Sequence, residues 1–485
     1  MKKLLWLMAW IVILGIGAHL PSSEARYPVI IDMDCGFDDL RAILMFLANH
    51  EFEVLALTTS EGSLTPAEGL RKVRSLLETL HHEGIPVAAG RKLDIPPPPW
   101  RSFCQGLSWG EESSSHPADS SSAVELISSI LKSERGKVRL VCLGSLTTAS
   151  DLLGKHQELG RRLERIVWYN DAGVASQGFN YETDREAAAK MFKLGVDIDI
   201  VGAGAANGLG FDFRILGELA KLKTPYAGVL ADSYKAGKIQ GQPVAGHQIL
   251  RDDLVPLFML SSGLFNSEQD GHISMHSLKD ESAGRQALQM ILTILSDRGE
   301  PEGQVFSRFP DDPSLFSADI RPYIPEILAR HGQSEWRAGV ITCELHGHLG
   351  IYSIIGVKMG LRAREYFNIG VDDLAILSLA GLKPPVSCLN DGLQAGTGGT
   401  LGHGLITVSD EPLPKPEAIF TFKNRKIRVS LKKETAEMVA AVLANAVERY
   451  GNLTDSYWDY VREQAIRFWR ELDRHEIFVI EKIGP

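Results

Sequence analysis

Four carboxylates crowd into one short segment near the start of the chain. Asp32, Asp34, Asp38 and Asp39 fall within eight positions, directly after an apolar run that predicts a buried strand. Acids this close repel one another unless a cation lies among them. Hard divalent cations such as Ca²⁺ take oxygen ligands, so the segment predicts a metal and substrate site. The alternative is a solvated acidic turn that caps the next helix.

The spacing Asp32-x-Asp34-x-Gly36-x-Asp38-Asp39 resembles the N-terminal signature of the inosine-uridine-preferring nucleoside hydrolases. That family holds Ca²⁺ at such a cluster and cleaves the N-glycosidic bond of a ribonucleoside or related N-riboside by attack of metal-bound water. The resemblance implies that Asp34 is both metal ligand and general base, and that Asp39 is a second ligand. It also implies that Asp32 and Asp38 contact the ribose hydroxyls of the substrate or orient the metal ligands.

Two later segments are similar to the same family. The turn at Leu143–Thr148 follows a predicted strand and resembles the family's Gly-Pro-Leu-Thr-Asn turn, in which a backbone carbonyl ligates the metal. The resemblance implies that this carbonyl belongs to Leu146 or Thr147. Phe179-Asn180 resembles the family's Glu-Phe-Asn segment, which implies that Asn180 binds ribose.

An acid pair before an apolar run supplies the last implied ligand. Asp252 aligns best with the Asp of the family's His-Asp pair, which completes the metal site, and Asp253 is the alternative by one residue. The resemblance covers roughly residues 27–300, and its segments occur in the family's order.

Three positions depart from the family pattern. Gly178 stands where the family has its ribose-binding Glu, Ser63 where it has Asn, and Arg251 where it has His. A lost hydrogen-bonding partner costs about 1–3 kcal/mol. These changes favour a different N-riboside as substrate, or a metal- and ligand-binding protein without turnover.

A second set of metal-ligating residue types lies far along the chain. His346, His348, Cys388 and His403 form a plausible nitrogen and sulfur set for a transition metal such as Zn²⁺. The alternative is that the two first histidines are turn residues and that the cysteine is a buried thiol.

The wording around these residues resembles the FmdE family of formylmethanofuran dehydrogenases over about residues 320–480. That family has Cys where Gly350 and Gly399 stand here, and Lys in place of His403. The loss of two thiols leaves open a weaker metal site or a small-ligand site with a Gly-rich anion-binding loop. A third function therefore remains, in which this domain handles a metal or a pterin-type ligand.

The elements that must position these residues alternate regularly. Apolar, β-branched runs alternate with helical patterns from Tyr27 onward, which predicts an α/β fold with a mainly parallel sheet and helices on both faces. Ligands in such sheets bind at the carboxyl ends of the strands, where the acid segment lies. A smaller α+β domain is predicted to follow.

The predicted strands are Val29–Asp34, Val54–Thr59, Val87–Gly90, Val138–Leu143, Ile166–Tyr169 and Ile198–Gly202, and the predicted helices are Asp39–Leu47, Glu68–Leu80, Ser122–Leu131, Ala149–Leu153 and Asp184–Leu194. Between the second helix and the third, a stiff Pro96–Pro99 loop with Trp100 and a Ser-rich loop at Gly110–Ser122 are both placed to border a cleft.

The length of 485 residues predicts two domains. We expect a signal peptide at 1–25, a nucleoside hydrolase-like domain at 26–300, a Pro-rich linker at 301–319 and the second domain at 320–485. Lys2 and Lys3, an apolar run and a small-x-small site at Ser23-x-Ala25 are typical of an export signal. The protein is then periplasmic or extracellular; the alternative is a membrane anchor formed by the same run.

Composition limits the partners. A net charge of −10 argues against nucleic-acid binding and is compatible with a small-molecule, nucleoside-like substrate. After signal cleavage we expect no stable membrane insertion, and a homo-oligomer stays open. The five widely spaced cysteines do not form a disulfide framework, although a single bridge is not excluded.

Overall fold

The computed structural model describes residues 27–111, 121–170, 175–204, 209–211, 213–239, 249–296, 305–410 and 413–484. The predicted signal peptide, most of the Ser-rich loop and the first residues of the predicted linker lie outside these ranges.

The first domain is built on a sheet whose strands run in the order β3-β2-β1-β4-β5-β6-β8-β7. All neighbours pair in parallel except the antiparallel β7–β8 hairpin at one edge. The strands are β1 (Tyr27–Met33), β2 (Phe52–Thr59), β3 (Val87–Ala89), β4 (Val138–Cys142), β5 (Leu163–Tyr169), β6 (Ile198–Gly202), β7 (Phe265–Asp270) and β8 (Ile273–Leu278).

Helices cover both faces of this sheet. They are α1 (Phe37–Ala48), α2 (Pro66–Thr79), α3 (Arg101–Gly106), α4 (Ala123–Ser133), α5 (Thr147–Lys155), α6 (Phe179–Thr183), α7 (Arg185–Met191), α8 (Phe213–Leu219), α9 (Pro225–Ile239), α10 (Leu254–Leu260) and α11 (Glu281–Ser296). Alternate residues of β1 enter two separate cores, because Val29 and Ile31 pack on one face and Ile30 on the other. Burial on both faces explains why this strand is apolar throughout.

The predicted α/β fold with a mainly parallel sheet is confirmed, and so are the six predicted strands and five predicted helices, within a few residues at their ends. The β7–β8 hairpin was not predicted. Most of β7 is exposed and polar, and an antiparallel edge strand facing solvent does not need the apolar run that reveals a buried strand.

The second domain is a smaller α+β unit, as predicted. Its mixed sheet has the order β10-β9-β11-β12-β13. The elements are α12 (Ile324–His346), α13 (Ile351–Phe367), β9 (Ala375–Ser378), α14 (Leu389–Thr397), β10 (Ile406–Val408), β11 (Glu417–Phe422), β12 (Arg425–Leu431), α15 (Lys433–Tyr450), α16 (Asp455–Glu471) and β13 (Phe478–Ile483).

The described part of the predicted linker packs on the second domain. Phe309 and Phe316 lie against its core, and the indole nitrogen of Trp336 donates to the carbonyl of Pro310 at 2.9 Å. The two-domain arrangement thus holds, while the boundaries themselves stay a prediction.

The two domains meet where the turn after α2 contacts the end of α13. The Gly84 N–H donates to the Tyr366 carbonyl at 2.7 Å, and the Arg362 guanidinium reaches the His81 carbonyl at 3.1 Å and Glu83 at 2.7 Å. A Cβ on Gly84 would lie 2.5 Å from the Tyr366 oxygen. Only glycine therefore allows this close approach.

Among the described residues, no helix has both the length and the apolar character needed to cross a membrane. The five cysteines are all unbridged.

Candidate active site

The acid segment joins the end of β1 to the start of α1 at the carboxyl edge of the sheet. Cys35 adopts a left-handed backbone (φ 63°), which turns the chain sharply between Asp34 and Gly36. The Gly36 N–H then donates to Asp39 Oδ2 at 2.8 Å and begins the helix. Acids in the first turn also suit the positive end of the helix dipole. Since β1 is flanked by β2 and β4, this edge is the topological switch point where such sheets bind ligands.

Three carboxylates converge there. Ligand oxygens of Asp38, Asp39 and Asp252 all lie within 4.8 Å of one another. Asp39 and Asp252 are only 1% and 3% exposed, and Oδ1 of each is buried with no hydrogen-bond partner. Buried polar atoms in proteins are almost always partnered, so these two oxygens fit a hard cation.

Burial and mutual repulsion act on the acids of this edge. Burial, followed by the charges of neighbouring aspartates, raises the pKa of Asp39 and of Asp252 well above the ordinary value. Burial likewise raises the pKa of Asp32 and of Asp34 to about 6. A bound cation would favour the ionised forms and offset this repulsion.

Asp252 and Asp253 have different surroundings. Asp253 lies under the sheet edge in a bidentate pair with Arg41, with both Nε–Oδ1 and Nη2–Oδ2 distances at 2.7 Å and both side chains wholly buried. Arg41 belongs to α1, so the pair fastens the turn before α10 to the helix that carries Asp38 and Asp39. The geometry thus favours Asp252 over Asp253 as the acid that faces the cluster.

Asp34 lies beside this triplet and lines the same cavity. Its Oδ2 accepts the Ser63 N–H at 3.0 Å, and a hydrogen bond with Asp39 links it to the cluster. A Cβ on Gly62 would lie 2.0 Å from Asp34 Oδ2, so glycine is needed where the loop after β2 passes the carboxylate. Asp34 is therefore held rigidly at the cavity wall.

Asp32 lies deeper. Its side chain is wholly buried and accepts the Thr58 hydroxyl at 2.6 Å, and it is not among the cavity-lining residues. This position suits orientation of the strand end rather than direct contact with substrate.

Asn180 ties two strand ends together. Its Nδ2 donates to the Leu143 carbonyl at 2.7 Å and to the Tyr169 carbonyl at 3.1 Å. Both amide hydrogens are used in this way, so the amide that lines the cavity can offer its oxygen to a hydroxyl.

The turn after β4 presents Leu143 to the cavity, not Leu146 or Thr147. The Leu146 carbonyl accepts the Ser150 N–H at 2.9 Å in the first turn of α5, and its side chain is in the core on the far face of the sheet. The Thr147 hydroxyl bonds Asp184 at 2.7 Å. Neither residue is brought to the acid triplet, and the backbone ligand stays a prediction.

The cavity has a volume of about 440 Å³, in the range of small-molecule sites. Trp100 and Phe179 form an aromatic wall with ring centroids 4.8 Å apart. The Trp100 indole N–H donates to Ser63 Oγ at 3.1 Å. Arg101 fastens the start of α3 by reaching Glu61 and the Gly62 carbonyl, each at 2.7 Å.

The three departures from the family pattern lie at or beside this cavity. Ser63 and Arg251 line it. Arg251 brings its Nε to 4.0 Å from Asp38 Oδ2. Gly178 caps α6 with a φ of 101°, a conformation that L side chains rarely adopt.

Comparison with known proteins agrees with this geometry. The family model described as inosine-uridine preferring nucleoside hydrolase matches residues 29–306, more than half of the chain. This chain belongs to that family. A second model, described as FmdE, molybdenum formylmethanofuran dehydrogenase operon, matches residues 345–479, so the nucleoside hydrolase domain precedes an FmdE-like domain.

Curated relatives cover the first domain only. The pyrimidine-specific ribonucleoside hydrolase RihA of Klebsiella pneumoniae is 33% identical over 193 residues, which is 36% of this chain and 60% of that protein. The RihA of Salmonella enteritidis is 34% identical over 188 residues, with 36% and 60% covered. This nucleoside hydrolase family member thus spans about 60% of the length of the curated relatives it matches.

Solved structures align over the same domain. A purine-preferring ribonucleoside hydrolase from Gardnerella vaginalis aligns with a TM-score of 0.48 at 19% identity, covering 56% of this chain and 99% of that chain. The inosine-uridine preferring nucleoside hydrolase of Bacillus anthracis gives 0.48 at 16% identity with the same coverage.

In the FmdE-like domain the four predicted ligands are not gathered. The rings of His346 and His348 lie 4.3 Å apart, and Cys388 lines one cavity with His346. His403 is half exposed, and its Nδ1 lies 3.5 Å from Asp372. Within the described ranges, the one close group of three or more His, Cys, Asp or Glu ligand atoms is the acid triplet of the first domain. The transition metal stays a prediction.

His346 has a different partner from the expected one. Its Nδ1 lies 2.6 Å from Asp391 Oδ2, and its Nε2 is buried. Burial raises the pKa of the Cys388 thiol and lowers the pKa of His348. Sequence reasoning missed Asp391, as it missed Arg41 and Arg101, since nothing in local spacing marks an ion-pair partner that is distant in the chain.

Proposed function

We propose that this chain is an exported, Ca²⁺-dependent N-glycosyl hydrolase that cleaves the N-glycosidic bond of a ribonucleoside or related N-riboside. The observation that carries the proposal is the convergence of the acid triplet, Asp34 and Asn180 on one cavity at the switch point of the sheet. Membership of the family and the pyrimidine-specific relatives support it.

The residues present fit Ca²⁺. Asp39 and Asp252 would hold the ion through their unpartnered oxygens, with Asp38 close by and the Leu143 carbonyl in reach of the same cavity. These are all oxygen donors, which suit a hard cation. A divalent cation bound there lowers the pKa of a coordinated water and holds substrate hydroxyls.

The chain's own residues supply the rest of the chemistry. Asp34 accepts the proton of the attacking water, and the Ser63 N–H holds one of its oxygens so that the other faces the reaction. Asn180 accepts a ribose hydroxyl through its amide oxygen, because both amide hydrogens already bind the strand ends. The aromatic wall of Trp100 and Phe179 excludes water and packs against a planar base.

The test is base release from uridine, cytidine and inosine by the purified full chain. We expect release that stops on chelation and returns with Ca²⁺. Asp34→Asn should lower kcat by about 100- to 10,000-fold, the usual contribution of a general base, and leave the melting temperature near that of the wild type. The exposed acid Asp232 on α9 gives a matched control, since Asp232→Asn removes only a surface pair with Lys235.

Absence of release from all three nucleosides, with Ca²⁺ demonstrably bound, would favour the alternative of a binding protein without turnover. Full activity of Asp34→Asn would remove this residue from the mechanism.

Export and the second metal are parts of the proposal with separate tests. The signal-like segment at 1–25 supports export, and fractionation with N-terminal sequencing of the mature chain checks it: a retained segment would favour the membrane anchor. The paired rings of His346 and His348 support a transition-metal site. Elemental analysis of the purified full chain, before and after Zn²⁺ addition, checks that part.

A further inference from the structure

We infer that the substrate is an N-riboside that carries an anionic group, either a carboxylate on the base or a phosphate on the ribose, and that Arg251 recognises this group. The inference rests on the proposed function and names the substrate class of the same cavity.

The charges around the cavity motivate it. Among the described residues that line the cavity, the acids are Asp34, Asp38, Asp39 and Asp252, and the one cation is Arg251. A divalent ion on the triplet accounts for the acids. The guanidinium remains as the positive group that meets whatever part of the substrate lies beyond the metal.

Arg251 is built into the site rather than draped over it. Its backbone N–H donates to Asp253 Oδ2 at 3.2 Å, on the same carboxylate that binds Arg41. The side chain is 36% exposed, and its Nε lies 4.0 Å from Asp38 Oδ2. This places the guanidinium at the mouth of the cavity, where it is accessible to a ligand and next to the implied ribose contact.

The chemistry of the guanidinium decides what it can recognise. It stays protonated in proteins and presents planar donors that match carboxylate and phosphate oxygens. An imidazole, by contrast, titrates near neutral pH and can transfer a proton. At this position the chain therefore has a fixed cation for binding an anion, not a group for giving up a proton.

The rest of the cavity fits a planar ring attached to ribose. The Trp100 ring is fixed by its hydrogen bond to Ser63 and meets Phe179 edge to face. A neutral nucleoside would use the aromatic wall and the acids, and would make no use of the positive charge of the guanidinium. A carboxylated base or a 5′-phosphate would use all three.

The experiment compares uridine, orotidine and uridine 5′-monophosphate as substrates of the Ca²⁺-loaded full chain. We expect one of the two anionic ribosides to exceed uridine in kcat/KM by about 10- to 100-fold, the weight of a hydrogen bond to a charged group. Arg251→Gln should abolish this advantage, and Arg251→Lys should restore part of it. Arg285→Gln, which changes an exposed arginine on α11, should keep it.

Binding of orotate and of ribose 5-phosphate, followed by calorimetry, identifies which anion is recognised and does not depend on turnover. The inference is overturned if neither fragment binds in an Arg251-dependent way, or if Arg251→Gln changes all three substrates equally, as expected of a cation that only offsets the acids. Failure of hydrolysis alone would count against the proposed function and leave the binding result to decide this inference.

Discussion

At the scale of single residues, neighbouring side chains with identical chemistry do different work here. Asp252 faces the acid triplet, whereas Asp253 neutralises the wholly buried Arg41. An unpaired buried charge is costly, while an acid among acids is relieved by losing its charge. The two aspartates should therefore respond oppositely to the same substitution.

Asp253→Asn should lower the apparent melting temperature by at least about 5 °C, since disrupting a buried ion pair costs roughly 3–5 kcal/mol. Asp252→Asn should leave the metal-free melting temperature unchanged or higher and weaken Ca²⁺ binding by about tenfold or more. Thermal scans with and without Ca²⁺, together with Ca²⁺ titration by calorimetry, measure both effects. Wild-type Ca²⁺ affinity in Asp252→Asn would contradict the ligand assignment.

At the scale of elements, the site depends on segments that hold one another by side chain to backbone bonds. Arg101, at the start of α3, reaches the loop after β2 through Glu61 and the carbonyls of Gly62 and Ser63. That loop in turn holds Asp34 and Trp100 through Ser63. The aromatic wall and the proposed base therefore share one support.

Arg101→Ala should loosen the wall more than the base, because the Ser63 N–H still reaches Asp34. We expect KM for the best riboside to rise by about 3- to 10-fold, the value of one or two hydrogen bonds, with a smaller change in kcat. Steady-state kinetics measure the two constants, and Arg285→Ala serves as control. Unchanged KM would show that α3 does not shape the binding wall.

At the scale of the whole molecule, two histidines stack across the domain contact. The rings of His81 and His475 lie 3.6 Å apart and nearly parallel. Against the effect of burial, hydrogen bonds to Asp473 and Glu365 raise the pKa of His475 above its ordinary 6.5. Burial and the nearby His475 lower the pKa of His81 to about 4.

These two shifts act on stability with opposite signs. The contribution of His475 is fully present below pH 6.5 and is lost as the pH rises through its raised pKa. For His81 the unfolded chain takes up its proton first, so stability is lost as the pH falls from 6.5 towards about 4. The docked pair should therefore be most stable near pH 6.5.

Melting temperatures of the full chain at pH 4.5, 6.5 and 8 check this, where each pH is an approximate choice around the two windows. His475→Gln should flatten the change above about pH 6.5, and His81→Asn, which tolerates the left-handed backbone at this position (φ 60°), should flatten the change below it. Variants that follow the wild-type curve at all three values would contradict a titrating contact.

Much of this molecule could be predicted from the sequence because the relevant signals are local. The apolar runs between Val29 and Gly202 give the strand order its raw material, and the acids after β1 follow directly from strand–turn–helix spacing. The β7–β8 hairpin escaped because exposed edge strands carry no apolar run. The turn at Leu143–Thr148 was located correctly, but which carbonyl faces the cavity depends on the start of α5 and could not be predicted from spacing.

The sequence by itself determined the two domains, the α/β fold of the first and the acid segment at Asp32–Asp39, because hydrophobic periodicity and short-range spacing are properties of the chain alone. Only the tertiary structure decided that Asp252 joins Asp38 and Asp39 while Asp253 binds Arg41, and that Trp100 closes the cavity. It also left His403 with Asp372, apart from the paired rings of His346 and His348. Such choices between neighbours depend on which side chain points where after packing, and a shift of one residue reverses them.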